Sequence, residues 1–441
     1  MQLVRFFAVA LILGLTLASP ARAVTLLRDP DIEHALRSLG APVLRAAGLN
    51  PGSVDIMVID DSSLNAFVVD ANSIFIHSGL ILRMNNPAML QSVIAHEAAH
   101  IANGHLMRRP VNARNARNAA ALGTALAAAA GIAAGSGEFA AGAAAGIQGA
   151  AMRSFFAHTR AEENAADSSG ARYMNAAGVN LQGMVEVMDI FRGQESLSLS
   201  RQDAYARTHP LSRDRYRRIR TLADAQSRSV APDPEAEYWF ARAKGKLSAF
   251  QRSPGWTLTR AGEFGYEDVR QMRQAIAHHR RSDLSQALPA IDAAISGRSD
   301  DPYLHELRGQ ILMESRQIKA AVSAYARAAN LSSNNALILG SYGRALLADG
   351  QVQKAAQFLE SARSRDGRDI RVLRDLAQAQ ARLGNNGQAS VLTAERYAMQ
   401  GRLKDAKIHA ERATGLLPRG SAAWQRAQDV LNAAEIAEKR E

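Results

Sequence analysis

The sequence predicts two folds in series, a mixed α+β domain and then an all-α solenoid, and two observations carry that reading. The first is a set of short strand-like runs, Asp55 to Asp60, Ala66 to Val69 and Ser73 to His77, followed by an apolar stretch of helical spacing that contains His96-Glu97-Ala98-Ala99-His100. The second is a repeat. Ala287, Ala321, Ala355 and Ala389 recur every 34 residues, and Gly309 and Gly343 keep the same interval, which is the period of two-helix tetratricopeptide units. A chain of 441 residues is long enough for two sizeable cores.

The N-terminus comes first. Arg5 precedes an apolar run from Phe6 to Ala18, and Pro20-Ala21-Arg22-Ala23 supplies an A-x-A site, so residues 1–23 read as a secretory signal cleaved after Ala23. The run is short for a spanning helix, and the expected compartment is the periplasm. The absence of Cys excludes an N-terminal thioether lipid, disulfides and thiolate metal sites. The formal charge is +11, from 53 Lys and Arg against 42 Asp and Glu. Without an aromatic-and-basic motif, and in an exported chain, this excess points away from nucleic acid. It fits peripheral attraction to anionic membrane surfaces or acidic partners, or simply solvated helix faces.

The three strand runs are separated by the turn signals Asp60-Asp61-Ser62-Ser63 and Asp70-Ala71-Asn72. An exposed edge of such a sheet can hold an extended peptide by strand addition. The helix that follows has a start signal in Asn86-Pro87, apolar residues Leu90, Val93, Ile94 and Ile101 at helical spacing, and a stop in Gly104. Residues four apart on a helix lie one above the other, so His96 and His100 can grip one ion while Glu97 faces the space beside it. This is the arrangement of a zinc peptidase helix. Downstream, Glu163 can complete a His-His-Glu ligand set for one Zn2+ per chain. Asp167, one turn on, can accept the free ring N–H of a ligating His. His209 precedes Pro210 and is thereby biased to extended backbone. Three roles fit it: donor to a developing oxyanion, fourth zinc ligand that silences the resting site, or an ordinary loop histidine.

Between these motifs, about residues 119–151 are almost all Ala and Gly, with glycines four apart at 131 and 135 and at 142 and 146. The spacing permits close helix contact, and a movable lid, a helical hairpin and a membrane-associated segment all remain open for it. After Arg220 the composition changes, and Ala231-Pro232-Asp233-Pro234 reads as a linker. The expected divisions are a peptidase domain at 24–228, a linker and connecting helix at 229–263, and repeats at 264–441. Ile291, Tyr325 and Leu359 each follow a repeat Ala by four residues. Ala389 to Gly401 and Arg402 to Ala413 read as a shorter, degenerate last pair ending near Pro418. Stacked pairs expose a curved surface for peptides or partner proteins.

Several motifs together resemble one family. Asn65-Ala66-Phe67, Ile74-Phe75-Ile76 with Ser78-Gly79-Leu80, the His96 motif, the Glu163 motif and Thr208-His209-Pro210 are similar to the HtpX/BepA group of gluzincin metallopeptidases, relatives of the CAAX prenyl protease. The match spans about residues 30 to 220, with Ala99 where the family often has Gly. The resemblance implies an α+β gluzincin metallopeptidase domain followed by an all-α tetratricopeptide-repeat solenoid. It places Asn65, Ala66 and Phe67 at the substrate edge and gives Arg215, five residues after the Pro, a role in charge stabilisation or in structure. The expected activity is zinc-dependent cleavage of unfolded or misassembled envelope proteins, with Glu97 as the base and His209 as the second catalytic candidate. Repeats that dock substrates or the outer-membrane protein assembly machinery fit the same resemblance. A chaperone or scaffold with secondary proteolysis is the main alternative, and an integral membrane protease is a third. Sequence leaves the substrate, the repeat partner and the oligomeric state unnamed.

Overall fold

A computed structural model of the chain describes residues 26–106, 160–198, 201–226 and 230–438. The signal segment 1–23 and the Ala/Gly-rich stretch 119–151 lie outside the described residues. Four strands, β1 (Leu26–Leu27), β2 (Asp55–Ile59), β3 (Ala66–Asp70) and β4 (Ser73–His77), form one sheet in the order β1-β2-β4-β3. β2 and β4 run parallel, with Ile56 beside Ile74 and Val58 beside Ile76. β3 runs antiparallel to β4, pairing Ala66 with Ile76 and Phe67 with Phe75. Its alternation is regular: Ala66 and Val68 point into the core while Phe67 is half-buried and Val69 exposed. Among the described residues the outer edge of β3 has no strand partner.

Helices α1 (Pro30–Ala46), α2 (Ser78–Arg83), α3 (Pro87–Ala102), α4 (160–176), α5 (Gln182–Phe191), α6 (Ala204–Thr208), α7 (Arg213–Gln226) and α8 (Pro234–Gln251) pack around this sheet. α3 sits at the centre. It starts where the sequence indicates, with Asn86 Oδ1 accepting from Met89 N at 3.0 Å and Pro87 in the first turn. It ends before Gly104, whose φ of 68° is the left-handed conformation that stops a helix. Leu90 and Ile94 meet Leu36, Leu39 and Val43 of α1 and Ile74 and Ile76 of the sheet in one core. α5 crosses the start of α3 at Gly183, where a Cβ would stand 2.4 Å from the Ala88 backbone. No helix among the described residues is long and apolar enough to cross a membrane.

The stretch read as a linker, Ala231-Pro232-Asp233-Pro234, is irregular up to Asp233 and leads into the connecting helix expected within 229–263. Asp233 caps α8 by accepting from Glu235 N and Ala236 N at 2.9 and 3.2 Å, and Pro234 takes the first helical position. The same Asp-Pro pair serves equally as turn and cap. α8 belongs to two cores at once: Ala236, Phe240 and Leu247 enter the peptidase core, Tyr238 and Ala249 that of the first repeat.

After α9 (Pro254–Thr259), helices stack in pairs: α10 (Glu267–Arg280) with α11 (Leu284–Gly297), α12 (Pro302–Glu314) with α13 (Ile318–Leu331), α14 (Ala336–Ala348) with α15 (Val352–Arg365), and α16 (Ile370–Arg382) with α17 (Asn386–Met399). The 34-residue period has a physical cause at three places. Asp301, Asn335 and Asp369 cap α12, α14 and α16. Ser282, Arg316, Gly350 and Gly384 take positive φ in the successive turns. At Gly309 the α12 backbone lies so close to α13 that a Cβ would be 2.8 Å from the Tyr325 ring. The last units are full helices: α17 and α18 (Leu403–Leu416) have 14 residues each, and α19 (Ala422–Glu438) continues the stack beyond Pro418.

Candidate metal centre

His96 and His100 project from adjoining turns of α3, and α4 brings Glu163 against them. The short α6 ends in His209. These four residues are buried, and one donor atom from each lies within 4.8 Å of all the others. The donors are His96 Nε2, His100 Nε2, His209 Nδ1 and the Glu163 carboxylate. His100 Nε2 is 3.1 Å from His96 Nε2, and His209 Nδ1 is 3.3 Å from His96 Nε2 and 3.1 Å from Glu163 Oε1. Glu163 stands 3.4 Å from His96 and 3.3 Å from His100. A tetrahedral ion with bonds of about 2.0–2.1 Å sets its ligands about 3.3 Å apart. The spacings therefore fit one zinc-sized ion held by three imidazoles and a carboxylate.

Each imidazole is oriented from behind. His96 Nδ1 meets Asp167 Oδ1 at 3.1 Å, as the i, i+4 spacing of Glu163 and Asp167 implies. His209 Nε2 donates to the Ala66 carbonyl at 3.3 Å, which leaves the Nδ1 lone pair directed at the other donors. His100 Nδ1 meets His105 Nδ1 at 3.0 Å. His105 was not singled out by sequence reasoning; the available signal was a histidine one residue beyond the Gly104 stop. Arg215, from α7, is turned onto the carboxylates. Its Nε and Nη2 bond both oxygens of Asp167 at 2.6 and 2.8 Å, its Nη1 lies 3.1 Å from Glu163, and the same nitrogen bonds the Pro210 carbonyl. The guanidinium thus faces Asp167 and Glu163 and not the β3 edge.

The segment carrying His209 is pinned to the entry of β3. Tyr205 N donates to the Leu64 carbonyl at 3.0 Å, and Thr208 Oγ1 lies 3.4 Å from Asn65 Oδ1. The Tyr205 ring stacks between Phe191 and His209, with centroid distances of 4.8 and 4.6 Å. Asn65 and Ala66 are buried beside the metal cluster, and Phe67 stacks on Phe75 on the opposite face of the strand. Behind His96 and His209, on the side of Asp167, Phe191, Tyr205 and Arg215, lies a cavity of about 20 Å³, enough for one water.

Electrostatics follow from this packing. Burial would raise the Glu163 carboxyl, but the surrounding imidazoles of His209, His100 and His96 hold it well below the usual range. Asp167 is likewise lowered against its burial by Arg215 and His96. Burial opposes a charged His96, yet Asp167 and Glu163 override it and push His96 up to about 10. His100 moves down, first through burial. Glu97 differs from all of these. It is fully buried, neither carboxylate oxygen has a hydrogen bond, and the His209 imidazole approaches it with Nε2 at 3.4 Å. An orphaned carboxylate beside four clustered donors is the mark of a site built around a cation and its water.

Residues 30–223 match the model of Peptidase family M48, and residues 312–374 match a tetratricopeptide repeat model. The beta-barrel assembly-enhancing protease of Escherichia coli O157:H7 is 27% identical over 396 residues, covering 86% of this chain and 78% of its own length. The putative beta-barrel assembly-enhancing protease of Vibrio cholerae is 25% identical over 423 residues, with 91% and 83% covered. Among solved structures, the tetratricopeptide protein YrrB, described as having an unusual peptide-binding site, is 16% identical with a TM-score of 0.32, over 43% of this chain and 96% of its own. The described fold is thus an M48 peptidase domain followed by tetratricopeptide repeats, and the chain is a metalloendopeptidase.

Proposed function

We propose that this chain, with its M48 metallopeptidase domain at residues 30–223, is an exported zinc endopeptidase that cleaves unfolded or misassembled outer-membrane proteins in the periplasm, its repeats docking those substrates or their assembly machinery. The observation that carries the chemistry is the tetrahedral set of His96, His100, Glu163 and His209 beside the unpartnered carboxylate of Glu97. The setting is supported by the likeness to beta-barrel assembly-enhancing proteases and by the signal-like residues 1–23. Zinc, when bound, polarises the scissile carbonyl and acidifies water. Glu97 takes the proton of the attacking water and returns it to the leaving amine. Asp167 holds the tautomer of His96, and Arg215 fixes both carboxylates. The free edge of β3, near Ala66, aligns an extended substrate backbone, so selection falls on unfolded chain more than on sequence.

His209 closes this site. Through Nδ1 it takes the fourth donor position, and through Nε2 it takes the Ala66 carbonyl, the edge acceptor nearest the metal cluster. Substrate has to displace one side chain from both places. That reading favours a silenced resting enzyme over an oxyanion donor already poised.

The test uses the mature chain, elemental analysis and cleavage of a loose casein-type substrate. One zinc per chain is expected, lost when His96, His100 or Glu163 becomes Ala. Glu97→Gln should keep the zinc and lose cleavage by about 10²–10⁴. A Glu97→Gln chain that cleaves at the full rate contradicts the assignment.

A further inference from the structure

We propose that His105 is a positioning residue of the metal centre, which holds His100 in the one tautomer that can bind the ion. The inference rests on the metal-binding reading above, and its geometry is independent of the Glu97 and His209 assignments. His100 turns Nε2 toward His96 and Glu163, at 3.1 and 3.3 Å. For that nitrogen to offer a lone pair, the ring proton of neutral His100 must reside on Nδ1. His100 is fully buried, so its Nδ1–H needs a protein acceptor, because an unpaired buried donor costs about 1–3 kcal/mol. The atom there is His105 Nδ1, at 3.0 Å, on a ring that is itself buried and stands at 75° to that of His100. His105 must then carry its own proton on Nε2.

The local backbone explains how a residue past the helix end reaches this place. Asn103 caps α3, and Gly104 adopts a φ of 68° and turns the chain, so residue 105 comes back against the last turn of the helix that carries His100. The two α3 ligands are consequently backed by different chemistry. His96 leans on a carboxylate, Asp167, whereas His100 leans on a neutral imidazole. A carboxylate behind His100 as well would add a fourth anion to Glu163, Glu97 and Asp167; an imidazole fixes the tautomer without adding charge.

Three variants of the full chain test this. In asparagine the side-chain oxygen occupies the place of histidine Nδ1, one bond from Cγ, whereas in glutamine it lies one bond further out. His105→Phe removes the acceptor and keeps the ring. Zinc affinity is measured by competition with a chromophoric chelator at fixed pH. The expectation is a loss of about 10- to 100-fold for His105→Phe and His105→Gln, with His105→Asn recovering most of it. In ¹⁵N-histidine spectra of the zinc-loaded wild-type chain, His105 should be protonated on Nε2 alone, a readout that needs no variant to fold. Wild-type affinity in His105→Phe, an Asn variant as weak as the Phe one, or a proton on His105 Nδ1 overturns the proposal. A wild-type chain that binds no zinc would instead overturn the metal-centre reading itself.

Discussion

Individual residues of the site differed in how legible they were. His96 with His100, and Glu163 with Asp167, could be read because helical spacing puts each pair on one face, with Glu97 beside the first. Arg215 and His105 could not be placed that way. The carboxylate partners of Arg215 come from α4, 48 residues earlier for Asp167, and His105 lies beyond a left-handed glycine, where periodicity ends. Buried charge away from the site was equally hidden. Glu306 is buried near Lys246 and bonded by Ser341; burial, with help from Asp29 and Asp31, raises its carboxyl to about 7 against the pull of Lys246. Its folded value lies above the ordinary 4.5. The stability it contributes is therefore full below about pH 4.5 and is lost as pH rises through about 7. Glu306→Gln should accordingly leave stability near wild type at pH 4.5 and raise it at pH 8, by an amount on the order of 1 kcal/mol or more, with the melting temperature rising in step. Thermal unfolding at the two pH values checks the sign, and a variant less stable at pH 8 would contradict it.

Elements were read best where a cap and a period agreed. α3 begins at its Asn86 cap and ends before Gly104; of the three expected strands two differ by their last residue and one is as read, while the two-residue β1 was not foreseen. The connecting helix α8 was expected within 229–263 but without a start residue, because Asp233-Pro234 is as good a turn as a cap, and packing against α1 decides between them. The repeat turns offer a direct test of backbone strain. Arg316 and Ser282 hold φ of 62° and 59° where the later repeats have Gly350 and Gly384. A left-handed non-glycine residue costs roughly 1–2 kcal/mol, of which glycine returns roughly 0.5–1 as unfolded-state entropy. Arg316→Gly should thus stabilise the repeats by about 0.5–1 kcal/mol. Gly309→Ala should destabilise them by about 1–3 kcal/mol, since its Cβ would press on the Tyr325 ring. Denaturant unfolding followed by circular dichroism measures both, and the same sign for the two changes would refute the packing account.

At the scale of the molecule, the connecting helix α8 joins the two folds through buried charge. Arg242 and Lys246 of α8 are buried, Arg242 bridging Asp31 at 3.0 Å and Asp301 at 2.6 Å, and Lys246 reaching Asp29 at 2.9 Å. Arg28 adds a contact to Asp366, 338 residues away, at 2.6 Å. Removing one partner of such a buried pair costs about 3–5 kcal/mol. Nothing in local sequence signals these pairings, because each joins segments that only the finished fold brings together. A chain cut near residue 228 would also strip Phe240 and Leu247 from the peptidase core. Point variants of the whole chain are therefore the cleaner way to separate cleavage from docking.

The central claim is a metallopeptidase whose resting site is closed by its own histidine, and the rate of cleavage of an unfolded polypeptide by zinc-matched wild-type and His209→Ala chains tests it most directly. With His209 Nδ1 among the four donors and Nε2 on the Ala66 carbonyl, the variant should keep its zinc and cleave faster, substrate or itself. A variant slower by about 10²–10³ would make His209 an oxyanion donor instead, and an unchanged rate would leave it no part in the chemistry.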